Sequence, residues 1–279
     1  MRKILFLVAF SFVSLLLAGS LSAQDAPSIK VMSYNIRYGT AKDGDNAWDK
    51  RCAATPAMLA DNAPDVFGVQ EALDIQLDYI LKECPQYGCV GVGREDGVSK
   101  GEHMSVFYRK DRMELLKWGT YWLSETPEEP SKGWDAMCKR TATWLLLRDR
   151  ASGREFFFVN THLDHVGVEA RRKGLALIVE RIAAMNPKGL PMVLTGDFNS
   201  YLNDPWMADI KVMMKNARFY AEDTDWKGSF NGWGNSAKAI DYIFYSGFSR
   251  CPDFKVVDGS YAGVPFISDH YPVIATLEF

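Results

Sequence analysis

Leu190–Ser200 reads LPMVLTGDFNS. An apolar run that belongs in a core ends in Gly196, Asp197, Phe198 and Asn199. Residues i and i+2 of a strand share one face, so a strand running through this stretch aims Asp197 and Asn199 together past the sheet edge. A plain turn also uses Gly, Asp and Asn, and Asn or Asp can cap a helix. The rest of the chain decides between a turn and a site.

The pattern recurs. The runs IKVMSYNIR, DVFGVQE, MSVFYRK, TATWLLLRDR, EFFFVNTHLD, MVLTGDFN, AIDYIFYS and HYPVIATLEF are rich in β-branched and aromatic residues and bounded by Gly, Asp or Asn, as strands are. VMSYN ends at Asn35, VFGVQ is followed by Glu71, FFFVNTH ends at His162, Asp241 lies inside AIDYIF, and Asp269 and His270 precede the last strand. Between the strands, residues 167–185 place Val168, Leu175, Ile178 or Val179, and Ile182 on one apolar helical stripe. Residues 48–62 and 73–83 read as shorter helices, and 118–137 and 224–236 as surface excursions. Many strands with interspersed helices predict sheets covered by helices in layers.

The 279 residues, 47% of them hydrophobic, suffice for a sizeable core, and no repeat or long linker divides them. Residues 1–23 have the parts of an export signal: basic MRK, an apolar run, and SLSA before Gln24. An uncleaved membrane anchor is the alternative. Cleavage after residue 23 removes Arg2 and Lys3, so 32 basic residues fall to 30 against 35 acidic ones and the charge moves from −3 to −5. That balance argues against a protein held to nucleic acid by a basic surface, though not against a nuclease that binds transiently. Five cysteines leave at least one thiol unpaired; an exported chain can close Cys84 and Cys89 into a small disulfide loop, and no Cys/His spacing matches a zinc site.

Acid, amide and imidazole groups at strand tips suit metal-assisted phosphoester hydrolysis. Mg²⁺ or Mn²⁺ takes hard oxygen ligands, a water needs aiming and deprotonation, and developing charge needs donors. The ordered set SYNIR, VQEA, GEHMSVFY, NTHLDH, TGDFNS, IDYIF and SDHYPV resembles the endonuclease/exonuclease/phosphatase superfamily over roughly residues 29–279. The resemblance implies one domain over 24–279 with an α/β fold: a four-layer α/β/β/α sandwich, two mixed β-sheets packed face to face with flanking helices.

It also implies roles. Glu71, Asp269 and Asn35 match the metal side, the cofactor being Mg²⁺ or Mn²⁺. Asp241 matches the carboxylate that orients His270, and Asp197 with Asn199 the pair that aims the attacking water, the base being either Asp197 or His270. His162 matches a donor to a phosphate oxygen. Glu102 is either its partner or solvated, and Arg140 is either a phosphate contact or a surface residue. Neither His103 nor His165 receives a role. Trp122, Trp134, Trp226 and Trp233 are candidates for stacking at a cleft rim, or for packing. The leading expectation is a secreted or periplasmic, monomeric, nuclease-like phosphodiesterase acting on a phosphoester such as a nucleic acid or nucleotide, without stable membrane insertion. The alternative is a phosphomonoesterase or a lipid- or sugar-headgroup phosphoesterase, and a third reading is a non-catalytic secreted binding module.

Overall fold

The computed structural model describes residues 26–279; the expected export segment, residues 1–23, lies outside them. Among the described residues thirteen strands form two mixed sheets. In chain order they are β1 (Ser28–Asn35), β2 (Val66–Gln70), β3 (Tyr87–Val90), β4 (Val106–Arg109), β5 (Met113–Trp122), β6 (Thr141–Asp149) and β7 (Glu155–His162). β8 (Met192–Asp197), β9 (Lys215–Asn216), β10 (Asp223–Thr224), β11 (Asp241–Ser246), β12 (Arg250–Val256) and β13 (Val273–Glu278) follow. One sheet runs β10-β12-β13-β1-β2-β4-β3 and the other β5-β6-β7-β8-β11-β9.

The central strands β2 and β8 are buried at every residue. This is why their apolar runs do not alternate with polar residues: both faces are covered. Ile29, Val31, Leu145, Phe156, Val193, Ile243 and Val273 fill the space between the sheets. Met32, Phe67 and Phe107 pack outward with helices α2 (Ala54–Asn62) and α3 (Asp74–Glu83), after a short α1 (Trp48–Arg51). On the other side Val159, Leu194 and Phe244 pack with Leu175, Ile178 and Ile182 of α4 (Val168–Met185) and with Ile210 of α5 (Ala208–Met213). Those three layers of contact make the expected four-layer sandwich.

Three expectations need correction. Residues 48–62 are two helices rather than one. Pro56 has no N–H to give the Cys52 carbonyl four residues back, and its ring would crowd that carbonyl, so the helix restarts at Ala54. In the first turn of α2 a missing N–H costs no helical bond. Residues 118–122 are the end of edge strand β5 rather than a surface excursion. Their sequence hid this because Lys117 and Trp118 are exposed there and a bulge breaks the alternation between Leu115 and Lys117. All five cysteines are free, so Cys84 and Cys89 form no loop.

Candidate active site

Topology gathers the polar tips. β1 and β2 run parallel and end at Asn35 and at the residue before Glu71, while β7 and β8 run parallel and end at His162 and Asp197. β11 and β13 are antiparallel to their neighbours, so it is their starts that reach the same end, bringing Asp241 opposite Asp197 and His270 just ahead of β13. A cavity of about 590 Å³ opens there, lined by Glu71, Glu102, Arg140, His162, Asp197, Asn199, Asp269 and His270. Asn35 and Asp241 stand behind this lining, each about 1% exposed.

Gly196 explains part of LPMVLTGDFNS. A side-chain carbon there would lie 2.3 Å from the Thr161 carbonyl oxygen, so only glycine lets β7 and β8 close at their tips. Asp197 and Asn199 do not share a strand face, because the strand ends at Asp197 and Asn199 turns left-handed at φ 45°. The turn is tied by the Asn199 backbone N–H donating to Asp197 Oδ1 at 2.9 Å, and Asn199 Nδ2 reaches the Leu163 carbonyl and His162 Nε2, both at 3.0 Å. Turn and site are therefore one feature. Arg37 and Glu71 also have positive φ, 58° and 62°. Such backbones cost about 1–3 kcal/mol each and collect at functional sites.

Asn35 donates through Nδ2 to Glu71 Oε1 and to Asp197 Oδ2, both at 3.0 Å, and its oxygen accepts from the Arg37 backbone N–H at 3.0 Å. In this arrangement Asn35 bridges the two carboxylates that flank it. Tyr38 N–H also donates to Glu71 Oε2 at 3.2 Å. Asp269 lies near Arg37, Oδ2 to Nε 3.7 Å, and burial raises its carboxyl pKa.

His270 Nδ1 lies 2.8 Å from Asp241 Oδ2, and its Nε2 lies 3.7 Å from Asp197 Oδ2. Burial alone would lower this imidazole, but Asp241 and Asp197 outweigh it and push it up to about 10. Burial, reinforced by Asp241, raises Asp197 to about 7. His162 goes the other way, well below its usual value, through burial and the nearby Arg140 and Arg94. Asp269 and His270, side by side just before β13, turn to different partners, Arg37 and Asp241.

Glu102 is neither solvated nor paired with His162; its Oε2 meets Arg94 Nη1 at 2.6 Å. Arg140 is buried, not a surface residue. Its Nε lies 3.3 Å from Asp164 Oδ2 and its Nη2 2.9 Å from His165 Nδ1, while Nη1 is buried without a partner. His165 therefore joins the site, whereas His103 is buried outside the lining, 2.9 Å from Asp74. Trp122, Trp134, Trp226 and Trp233 are absent from the lining; Trp122 is buried and donates to the Arg94 carbonyl at 2.7 Å. Sequence reading missed Arg37, Arg94, Phe230 and Lys238 on the wall. Arg37 carried a signal, standing two residues after Asn35, whereas Arg94 in its loop carried none.

Ligand atoms of Glu71, His162 and Asp197 lie within 4.8 Å of one another, as do those of Asp197, Asp241 and His270. Glu71 and Asp269 face the same cavity, close enough that the charge of Glu71 adds to burial in raising Asp269, and this pair of oxygen ligands suits a hard divalent cation.

Residues 32–270 match the model of the Endonuclease/Exonuclease/phosphatase family, and the chain belongs to that family of phosphoester hydrolases, whose members depend on divalent metal. The chain is 34% identical to a Bacteroides thetaiotaomicron mannosyl-6-phosphatase, with TM-score 0.86, covering 90% of this chain and 100% of that one. It is equally, 34%, identical to a Bacteroides vulgatus family member, with TM-score 0.85 over 91% of this chain and 99% of that one. The human Nocturnin catalytic domain, 19% identical with TM-score 0.68 over 91% of this chain and 94% of that one, shares the fold.

Proposed function

We propose that the chain is an exported, divalent-metal-dependent phosphomonoesterase that removes phosphate from a phosphorylated sugar. The observation that carries this reading is Arg140: a guanidinium only 4% exposed, on the cavity wall, with Nη1 lacking any protein partner. An unpaired buried donor is costly, and a terminal phosphate oxygen satisfies it with matching geometry. Similarity to the mannosyl-6-phosphatase supports a sugar monoester.

In this reading Glu71 and Asp269 hold the cation, which neutralises charge on the phosphate when bound. Asp197 takes a proton from the attacking water. It faces the cavity, is fixed by Asn35 and the Asn199 N–H, and titrates close to neutrality, where a general base works best. His270, held as imidazolium by Asp241, donates to the phosphate, and Asn199 and His162 complete the donor set. Export rests on the make-up of residues 1–23.

The test is hydrolysis of chromogenic mono- and bis-esters with Mg²⁺, with Mn²⁺ and with chelator. Faster turnover of the mono-ester, abolished by chelator, is expected. Preference for the bis-ester would return the nuclease-like reading. An intact Met1 on cytosolic protein, read by mass spectrometry, would overturn export.

A further inference from the structure

Glu102 poses a problem for a phosphate pocket. A carboxylate on the wall of a cavity that takes a dianion repels it, and repels Glu71 as well. The loop carrying it is firmly built. Arg94 N–H donates to the Glu102 carbonyl at 3.1 Å, Glu95 N–H to the Lys100 carbonyl at 3.0 Å, and Asp96 Oδ1 accepts from Val98, Ser99 and Lys100 N–H at 2.9, 3.0 and 2.9 Å. The base is pinned by His103 N–H donating to the Ala72 carbonyl at 2.7 Å, one residue from Glu71. Trp122 Nε1 fixes the Arg94 carbonyl from the side. All of this presents one charged pair, Arg94 and Glu102, to the cavity.

We propose that Arg94 and Glu102 form a subsite for adjacent hydroxyls of a polyhydroxylated phosphomonoester, beside the phosphate position. Glu102 already neutralises Arg94, so the pair does not compete with Arg140 for the phosphate. It offers an acceptor and a donor side by side. Glu102 uses only Oε2 toward Arg94, and Arg94, whose Nε lies 3.5 Å from Glu95 Oε1, gives its Nη2 to no acceptor among the described residues. Neighbouring hydroxyls of a sugar ring each donate and accept, so one ring edge answers both groups. A simple aryl phosphate answers neither. A pair that costs desolvation in the free protein would then act through the difference between substrates.

This inference rests on the phosphomonoesterase reading, and one experiment separates the two. The Mg²⁺-loaded protein and its Glu102→Gln and Arg94→Met variants are assayed with a hexose 6-phosphate, its deoxy analogues and 4-nitrophenyl phosphate. The ratio of kcat/KM for the hexose phosphate over the aryl phosphate should drop about 10- to 100-fold in each variant, chiefly through KM. In wild type at least one deoxy analogue should lose a similar factor, a readout that does not depend on any variant folding. If wild type hydrolyses both monoesters while neither the variants nor the deoxy analogues move the ratio, the subsite is overturned and the phosphatase stands. If both substrates fall together and the metal response of Glu102→Gln is lost, Glu102 belongs to the metal side and the subsite is equally overturned. Failure of wild type on every monoester removes the phosphatase reading itself.

Discussion

Asp197 and Asp241 stand directly opposite each other in register on β8 and β11, both buried, with the His270 imidazole set against the pair. Two buried carboxylates this close raise the cost of ionising both, and an imidazolium relieves it. If Asp241 works through His270, His270→Ala and Asp241→Ala should each lower kcat by about 10²–10⁴-fold. The double variant should then lose little more than either single one. Losses that multiply would show that Asp241 acts by another route.

Metal response should depend first on Glu71. Its carboxylate is fixed from two sides, by Asn35 Nδ2 and by the Tyr38 N–H. Glu71→Gln keeps the size and removes the charge. The Mg²⁺ concentration for half-maximal activity should rise by at least about tenfold, the scale of one lost charged contact. An unchanged Mg²⁺ titration curve would remove Glu71 from the cation site.

One layer below the cavity the two sheets are cross-linked. Gln70 Nε2 donates to Asn160 Oδ1 at 2.7 Å and to Ser33 Oγ at 3.2 Å, Thr195 Oγ1 donates to Asn160 Oδ1 at 3.1 Å, and Asn160 Nδ2 donates to the Val69 carbonyl at 2.8 Å. Ser33, Asn160 and Thr195 each precede a site residue by two on their own strands: Asn35, His162 and Asp197. Gly68 makes the room, since a Cβ there would lie 2.3 Å from the Asn160 side chain. Gly68→Ala should therefore lower Tm, and Asn160→Ala should lower it by exposing unpaired polar groups at about 1–3 kcal/mol each. At about 2–4 °C per kcal/mol that is readable in a melting curve. Combining the two should cost less than their sum, because the new methyl group fills space that Asn160 vacates. Strict additivity would argue against a shared contact.

Asp164 ties Arg140 to the start of α4. Its Oδ1 accepts from the Val166 and Gly167 N–H groups at 3.0 and 2.7 Å, and its Oδ2 faces Arg140. Burial alone would raise this carboxyl, yet the backbone donors and Arg140 outweigh it and hold it well below the usual carboxylate range. A depressed folded pKa stabilises above the unfolded value and is lost as pH falls below it, here below about pH 4. The Tm gap between wild type and Asp164→Asn should thus be widest near pH 7 and narrow at pH 3. A gap independent of pH would mean that the carboxylate's charge contributes nothing. Because Arg140 loses its anchor, KM for a phosphomonoester should also rise in Asp164→Asn.

Apolar runs ending in Asn35, Glu71, His162 and Asp197 were legible by themselves, because strand period and burial are local properties written into neighbouring residues. So were α3 and α4, whose stripes depend only on spacing along one helix. Edge strand β5 went unread altogether, since the bulge between Leu115 and Lys117 breaks its alternation and Lys117 and Trp118 beyond it are exposed. The orientation of Asn35 depends on what lies on either side of it, Glu71 and Asp197, which are 36 and 162 residues away. Glu102 finds Arg94 and Arg140 finds Asp164 and His165 for the same reason: a charge buried in a cavity takes the partner the fold brings to it. The chain alone thus determined which residue types stand at the strand tips. Only the packing of one sheet on the other decided which of them touch, which are held charged, and which wall is left with a guanidinium nitrogen that has no partner.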